Sequence, residues 1–108
     1  MNWEHYKDRL AAGETVKIRP RGNSMQPRIN SGDEVTIVPI GDSYEDQDKI
    51  KKGDIVFCWV NGHYCVHLVQ AVQQKMGGCR YQIGNNKKRT NGVIDITRIF
   101  GKATRVEA

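Results

Sequence analysis

The dipeptide Asn61-Gly62 constrains the fold of this chain more than any other feature, because Asn-Gly is the strongest short signal for a β-hairpin turn. It separates two apolar segments, Ile55–Val60 and His63–Val69. A two-residue turn fixes the register of the strands that it joins, so Val56 is predicted to lie opposite His67. The sequence therefore predicts an antiparallel hairpin near the middle of the chain.

Strand alternation assigns the side chains of this hairpin to two faces. One face is predicted to carry Cys58, Val60, His63, Cys65 and His67, and the other Phe57, Trp59, Tyr64 and Val66. Trp59 and Tyr64 form a non-hydrogen-bonded pair, so their rings are predicted to pack directly. Cys58 and Cys65 form a hydrogen-bonded pair, whose side chains are predicted to diverge, and this argues against a disulfide between them.

The remaining patterns indicate a mainly β chain with one short helix at its start. Trp3, Tyr6 and Leu10 recur at helical spacing before Gly13, whereas the later segments alternate or are short apolar runs between turns. Strands are predicted at Glu14–Arg19, Glu34–Pro39, Arg80–Gly84, Val93–Ile96 and Ile99–Val106, in addition to the hairpin. We therefore expect one domain over residues 1–108, with a helix in residues 1–13 and a complex, curled antiparallel β-sheet in residues 14–108.

Two side chains in these elements suggest chemistry. Ser24 lies in the loop Gly22–Pro27, and His67 lies inside the second hairpin strand. A serine hydroxyl becomes a good nucleophile at neutral pH only when a neighbouring base takes its proton, and an imidazole is the side chain best suited to that task. The sequence therefore offers Ser24 as a candidate nucleophile and His67 as a candidate general base.

Charge composition argues against nucleic acid as the main partner. The net charge is +5, and the basic residues include Arg19, Arg21, Arg28 and the run Lys87–Arg89. These charges are predicted to lie in or beside loops, no known nucleic-acid-binding motif is present, and no aromatic residues interleave with them. We interpret them as solvated surface.

Cysteine count and hydropathy indicate a cytoplasmic chain without a membrane anchor. The three cysteines form an odd set without metal-motif spacing, which favours reduced thiols. No apolar run reaches the roughly 18 residues needed to span a bilayer, and the first residues are too polar for a signal peptide. His63 and His67 lie about 13 Å apart on an extended strand, which argues against a shared metal ion. We expect no cofactor and no metal.

Six short segments in order resemble the conserved boxes of the signal peptidase and LexA-like serine peptidase superfamily. They span most of the chain. Each box alone is short and weakly specific, whereas six boxes in the family's order and with plausible spacing are a more specific match. The segments are Gly22–Pro27, Ser31–Val35, Ile50–Val56, Val66–Val69, Gly84–Asn86 and Phe100–Lys102.

This resemblance implies a complex β fold, Ser24 as nucleophile and His67 as general base. Many bacterial members use lysine as the base, whereas archaeal and endoplasmic-reticulum signal peptidases use histidine, as this chain would. The resemblance also implies an oxyanion hole that includes the Ser24 backbone N–H, and substrate contacts at the neighbouring Met25 and Pro27. Asn85 stands where His-type members have an acidic residue, and its amide is predicted to orient the imidazole.

Two functions from different classes remain open at this point. In the first, the chain is a soluble serine endopeptidase that uses Ser24 and His67 on an extended peptide segment. In the second, it is an inactive peptidase-like domain that binds a peptide or protein partner, because Asn85 cannot supply the charge of a triad carboxylate. A peptide or protein is the expected partner in both cases.

Overall fold

Seven strands and one α-helix make up most of the secondary structure in the described part of the chain. The computed structural model describes residues 3–22, 25–40 and 49–108. The helix α1 covers Trp3–Ala11, and a 3-10 turn covers Ile96–Arg98. The strands are β1 Val16–Ile18, β2 Glu34–Pro39, β3 Ile55–Val60, β4 His63–Lys75, β5 Gly78–Gly84, β6 Thr90–Ile94 and β7 Ile99–Glu107. Among these residues, no helix has the length and apolar character needed to cross a bilayer.

The central hairpin is confirmed in its turn, its register and its aromatic pair. Asn61 and Gly62 both have positive φ angles, 52° and 85°, as a type I′ turn requires. The strand pairs run from Val60↔His63 to Ile55↔Leu68 and include all the predicted ones. The Trp59 and Tyr64 rings contact edge to face, with centroids 4.5 Å apart.

A single antiparallel sheet with the strand order β1-β2-β7-β3-β4-β5-β6 contains all seven strands. The predicted mainly β fold with one short helix at the N-terminal end is therefore confirmed. The last strand, β7, lies between β2 and β3. It has a bulge against each neighbour, at Thr104 opposite β2 and at Phe100 opposite β3. Because bulges raise the local twist, they help the sheet to curl around its core.

Buried side chains form a cluster on each face of the sheet. Val56 and Cys58 of β3 belong to one cluster, which extends over β4, β5 and the 3-10 turn. Phe57, between them in sequence, belongs to the other, where Leu10 of α1 also packs. This alternation follows from the two-residue repeat of a strand, and it confirms the predicted faces of β3.

Five predicted strands have wrong bounds. β1 is only three residues long, β4 continues six residues beyond Val69, β5 begins two residues before Arg80, and β7 ends one residue after Val106. β6 begins at Thr90 and ends at Ile94, instead of covering Val93–Ile96. The reason for the last difference is local: the Asp95 side chain accepts a hydrogen bond from Thr97 N at 3.0 Å and starts the 3-10 turn, which removes Ile96 from the strand.

Candidate functional site

The predicted base lies on a stretch of β4 that has one open edge. Residues 63–67 pair with β3 on one side. Pairing with β5 on the other side begins only at Leu68, opposite Gly84. Among the described strands, none covers this second edge, so backbone N–H and C=O groups between His63 and His67 are available to another segment.

A cavity of about 240 Å³ lies along this open edge. Its walls come from three parts of the chain: Trp3 of α1, the connection between β1 and β2, and residues 63–67 of β4. A second cavity of about 640 Å³ lies beside α1 and β7, and none of the described candidate residues lines it. We therefore place the candidate site in the smaller cavity, where the predicted base is found.

The nucleophile predicted from sequence, Ser24, lies outside the described residues. Its described neighbours on either side, Gly22 and Met25, both line the cavity that His67 lines. The chain on both sides of Ser24 therefore reaches the same cavity as the predicted base.

Contacts from distant parts of the sequence hold this connection in place. Met25 and Ile29 are buried, with 4% and 3% of their surfaces exposed, in the same cluster as Phe57. The Asn86 side chain donates a hydrogen bond to the Gln26 carbonyl at 2.9 Å. These contacts connect the loop after β5 with the connection that carries Ser24.

Met25 and Pro27, the predicted substrate contacts, differ in their surroundings. Met25 is buried and contributes to the cavity wall, whereas Pro27 is exposed and is absent from the described lining. Their contact with a substrate stays a prediction. Met25 has a structural role in either case, because it anchors the loop to the core.

His67 is half-buried and lies opposite Val56 of β3. On its own strand, two residues earlier and on the same face, is Cys65. The pKa of the Cys65 thiol is lowered to about 5, first of all by its hydrogen bond with Cys58, while burial partly opposes the shift. A hydrogen bond with His67 and the charges of His67 and His63 make smaller contributions to the same lowering. The imidazole of the predicted base therefore interacts with a thiol.

Cys58 and Cys65 are both reduced, as expected, but their side chains do not diverge. Their Sγ atoms lie 3.7 Å apart, within hydrogen-bonding distance for sulfur. The hydrogen bond to Cys65 raises the pKa of the Cys58 thiol well above its usual value, and burial adds to the effect. These opposite pKa shifts favour Cys58 as the donor of the hydrogen bond between the two sulfurs.

Asn85 uses its side-chain oxygen within its own loop. Asn85 Oδ1 accepts hydrogen bonds from the backbone N–H groups of Lys87 and Arg89, at 2.8 and 2.9 Å. The β4–β5 pairing ends at Leu68↔Gly84, one residue before the position at which Asn85 would face His67. Its predicted role in orienting the imidazole stays a prediction, and its visible role is to shape the 85–89 turn.

Gln70 is a residue that sequence reasoning missed. The β4–β5 register skips it, so it is the extra residue of a β-bulge. Its amide nitrogen donates to the Arg89 carbonyl at 3.0 Å and to the Asn85 carbonyl at 3.4 Å. Its amide oxygen accepts from Gln82 Nε2 and from Thr90 Oγ1, both at 2.9 Å. Nothing in the strand pattern marks this position, because bulges leave no fixed signal in sequence.

Gly84→Ala is expected to destabilise the protein by about 1–3 kcal/mol, because an added Cβ would overlap the Gln70 amide and the Arg89 carbonyl. Chemical denaturation of the variant measures this loss. Gln70→Ala in the same background should restore only part of it, since the Arg89 carbonyl belongs to the backbone and cannot rotate away. Full recovery of stability in the double variant would show that the contact with the Arg89 carbonyl does not contribute to the loss.

Comparisons with known proteins do not identify a family. No protein-family model matches the chain, and no curated protein matches it. The superfamily suggested by the six sequence segments therefore stays a resemblance, and the function is argued from the site itself.

Proposed function

We propose that this chain is a serine endopeptidase-like protein that uses Ser24 as nucleophile and His67 as general base on an extended peptide. The observation that carries the proposal is the shared cavity: His67 and the described neighbours of Ser24, Gly22 and Met25, all line it. A nucleophile and its base must lie within hydrogen-bonding distance of each other. Residues that line the same cavity can meet this requirement.

The open edge of β4 supports the same proposal. An extended peptide can add to such an edge through main-chain hydrogen bonds, which give affinity with little dependence on sequence. Residues 63–67 present this edge beside the cavity. A peptide bound there would place one of its carbonyl groups close to the loop that carries Ser24.

The surroundings of Asn85 favour a second candidate, an inactive domain that binds peptides without cutting them. The Asn85 oxygen is already shared by two backbone N–H groups, and an amide has no negative charge with which to stabilise a protonated imidazole. In this case the same edge and cavity bind a segment of a partner, and Ser24 has no chemical role.

The Ser24→Ala variant separates the two candidates. The protein is incubated with a library of extended peptides, and cleavage is followed by mass spectrometry while affinity is followed by fluorescence anisotropy. For an endopeptidase, the variant should lose cleavage and keep affinity, because only the nucleophile is removed. Binding by the wild-type protein without any cleavage would favour the inactive domain, and absence of both would contradict both proposals.

A further inference from the structure

The paired cysteines on β3 and β4 have a geometry suited to a disulfide. Cys58 and Cys65 are direct cross-strand partners, and a hydrogen-bonded pair has its Cα atoms about 5.5 Å apart, inside the range that disulfides span. Their Sγ atoms, at 3.7 Å, must approach to about 2.05 Å for a bond to form. Small side-chain rotations and a slight backbone adjustment would close this gap.

The two thiols differ in access and in protonation. Cys65 is 8% exposed and lines the 240 Å³ cavity, whereas Cys58 is fully buried behind it. Because the pKa of the Cys65 thiol is lowered while that of Cys58 is raised, the thiolate form is favoured at Cys65 over Cys58. The thiolate, which is the reactive form, therefore belongs to the cysteine that a small molecule can reach.

We propose that Cys65 and Cys58 form a hydroperoxide-sensitive dithiol, in which Cys65 reacts first and Cys58 then closes a reversible intramolecular disulfide. The proposal goes beyond peptide cleavage and does not depend on it. It assigns a modification site to Cys65 in the lining of the candidate cavity, with a small hydroperoxide as the oxidant.

The reaction balances in two steps. The Cys65 sulfur attacks one oxygen of the hydroperoxide, the O–O bond breaks, and the leaving oxygen takes a proton to give water or an alcohol. This leaves a sulfenic acid on Cys65. The Cys58 sulfur then attacks the Cys65 sulfur, the S–O bond breaks, and the thiol proton of Cys58 leaves with the hydroxide as water. The two sulfurs lose two electrons, and the peroxide oxygens gain them.

The position of Cys65 at the cavity favours reversibility. A disulfide is reduced when a thiolate attacks one of its sulfurs, so the rate depends on access to that sulfur. Cys65 lines the 240 Å³ cavity, which gives a small thiol a route to its sulfur. Oxidation would also remove the Cys65 thiolate that interacts with His67, so the redox state would alter the surroundings of the predicted base.

The chain carries a convenient internal control, Cys79. Trypsin cuts after Lys52, Lys75 and Arg80, so Cys58 and Cys65 fall in one peptide, residues 53–75, and Cys79 in another, residues 76–80. Cys79 is buried and lies outside the described lining of the 240 Å³ cavity. The folded protein is treated with hydrogen peroxide, quenched in acid, denatured, alkylated with iodoacetamide and digested.

We expect peptide 53–75 to become lighter by two hydrogens and to take up no alkyl group, while peptide 76–80 stays alkylated. Treatment with dithiothreitol before alkylation should restore both alkylation sites. Cys58→Ser should stop the reaction at a sulfenic acid that a β-diketone reagent traps on Cys65, and Cys79→Ser should behave as wild type. Alkylation of both thiols after peroxide, a cross-link to Cys79 or to a second chain, or over-oxidation without a disulfide would each overturn the proposal.

The pH dependence of the first step gives a second test. Since the pKa of the Cys65 thiol is lowered to about 5, Cys65 is a thiolate above that pH. Its peroxide reaction should therefore remain fast at about pH 6, where an ordinary thiol with a pKa near 8.5 is almost fully protonated and slow. Measured as loss of alkylation in peptide 53–75, a rate that falls about tenfold per pH unit below pH 8 would contradict this charge assignment.

Discussion

Replacing His67 with alanine is expected to lower kcat/KM for peptide cleavage by about 10²–10⁴-fold, the usual contribution of a positioned general base. Without the imidazole, the serine hydroxyl keeps its proton and attacks the peptide carbonyl only slowly. Peptide affinity should change little, because the open edge of β4 binds through main-chain groups. The measurement is the cleavage rate and the affinity for the same library peptide.

His63→Ala is the matched control for this variant. His63 lies on the same strand and lines the same cavity, but it is exposed and next to the hairpin turn. Loss of cleavage in His67→Ala but not in His63→Ala would assign the base to one imidazole. Equal losses in both variants would show that the effect comes from the shape or charge of the cavity. Unchanged cleavage in His67→Ala would exclude His67 as the base.

The hairpin could be predicted from sequence because its determinants are local. A two-residue Asn-Gly turn fixes which residues face each other, so every predicted pair from Val60↔His63 to Val56↔His67 is confirmed. The place of β7 between β2 and β3 could not be predicted in the same way. It depends on pairing between Ile99–Glu107 and strands far away in sequence, and no local pattern selects that partner.

Local sequence motifs suggest residues for the candidate site, but they do not predict the contacts around them. Local motifs draw attention to Ser24 and His67, whereas the bond from Asn86 to Gln26 joins residues sixty positions apart. The bulge at Gln70 and the approach of the Cys58 and Cys65 sulfurs depend on side-chain placement within a curled sheet. Strand alternation gives the face of a side chain, and rotamers decide what it touches there.

Phe57 is a buried aromatic residue of the cluster against which α1 packs. It is fully buried, and its ring lies 5.4 Å from Trp3, 5.8 Å from Tyr64 and 5.5 Å from Phe100, measured between centroids. Such pairs add to the free energy gained by burial. Phe57 therefore joins the helix to three strands of the sheet.

Phe57→Ala is expected to lower the free energy of unfolding by about 3–5 kcal/mol, because it removes a buried ring and leaves a cavity. This is a large fraction of the roughly 5–15 kcal/mol that stabilises a typical domain. The urea midpoint should fall while the slope of the transition stays the same. Trp3 loses its ring partner in the variant, so its fluorescence should also report a looser contact between α1 and the sheet.

Two further variants make this test specific. Phe57→Leu keeps most of the buried volume and should cost clearly less than alanine. Met76→Ala, at the fully exposed turn between β4 and β5, should change the stability by no more than about 0.5 kcal/mol. If Phe57→Ala costs no more than Met76→Ala, the aromatic cluster does not hold α1 on the sheet. In that case the wall of the candidate cavity formed by Trp3 would need another support, because Trp3 reaches the cavity only while α1 stays docked.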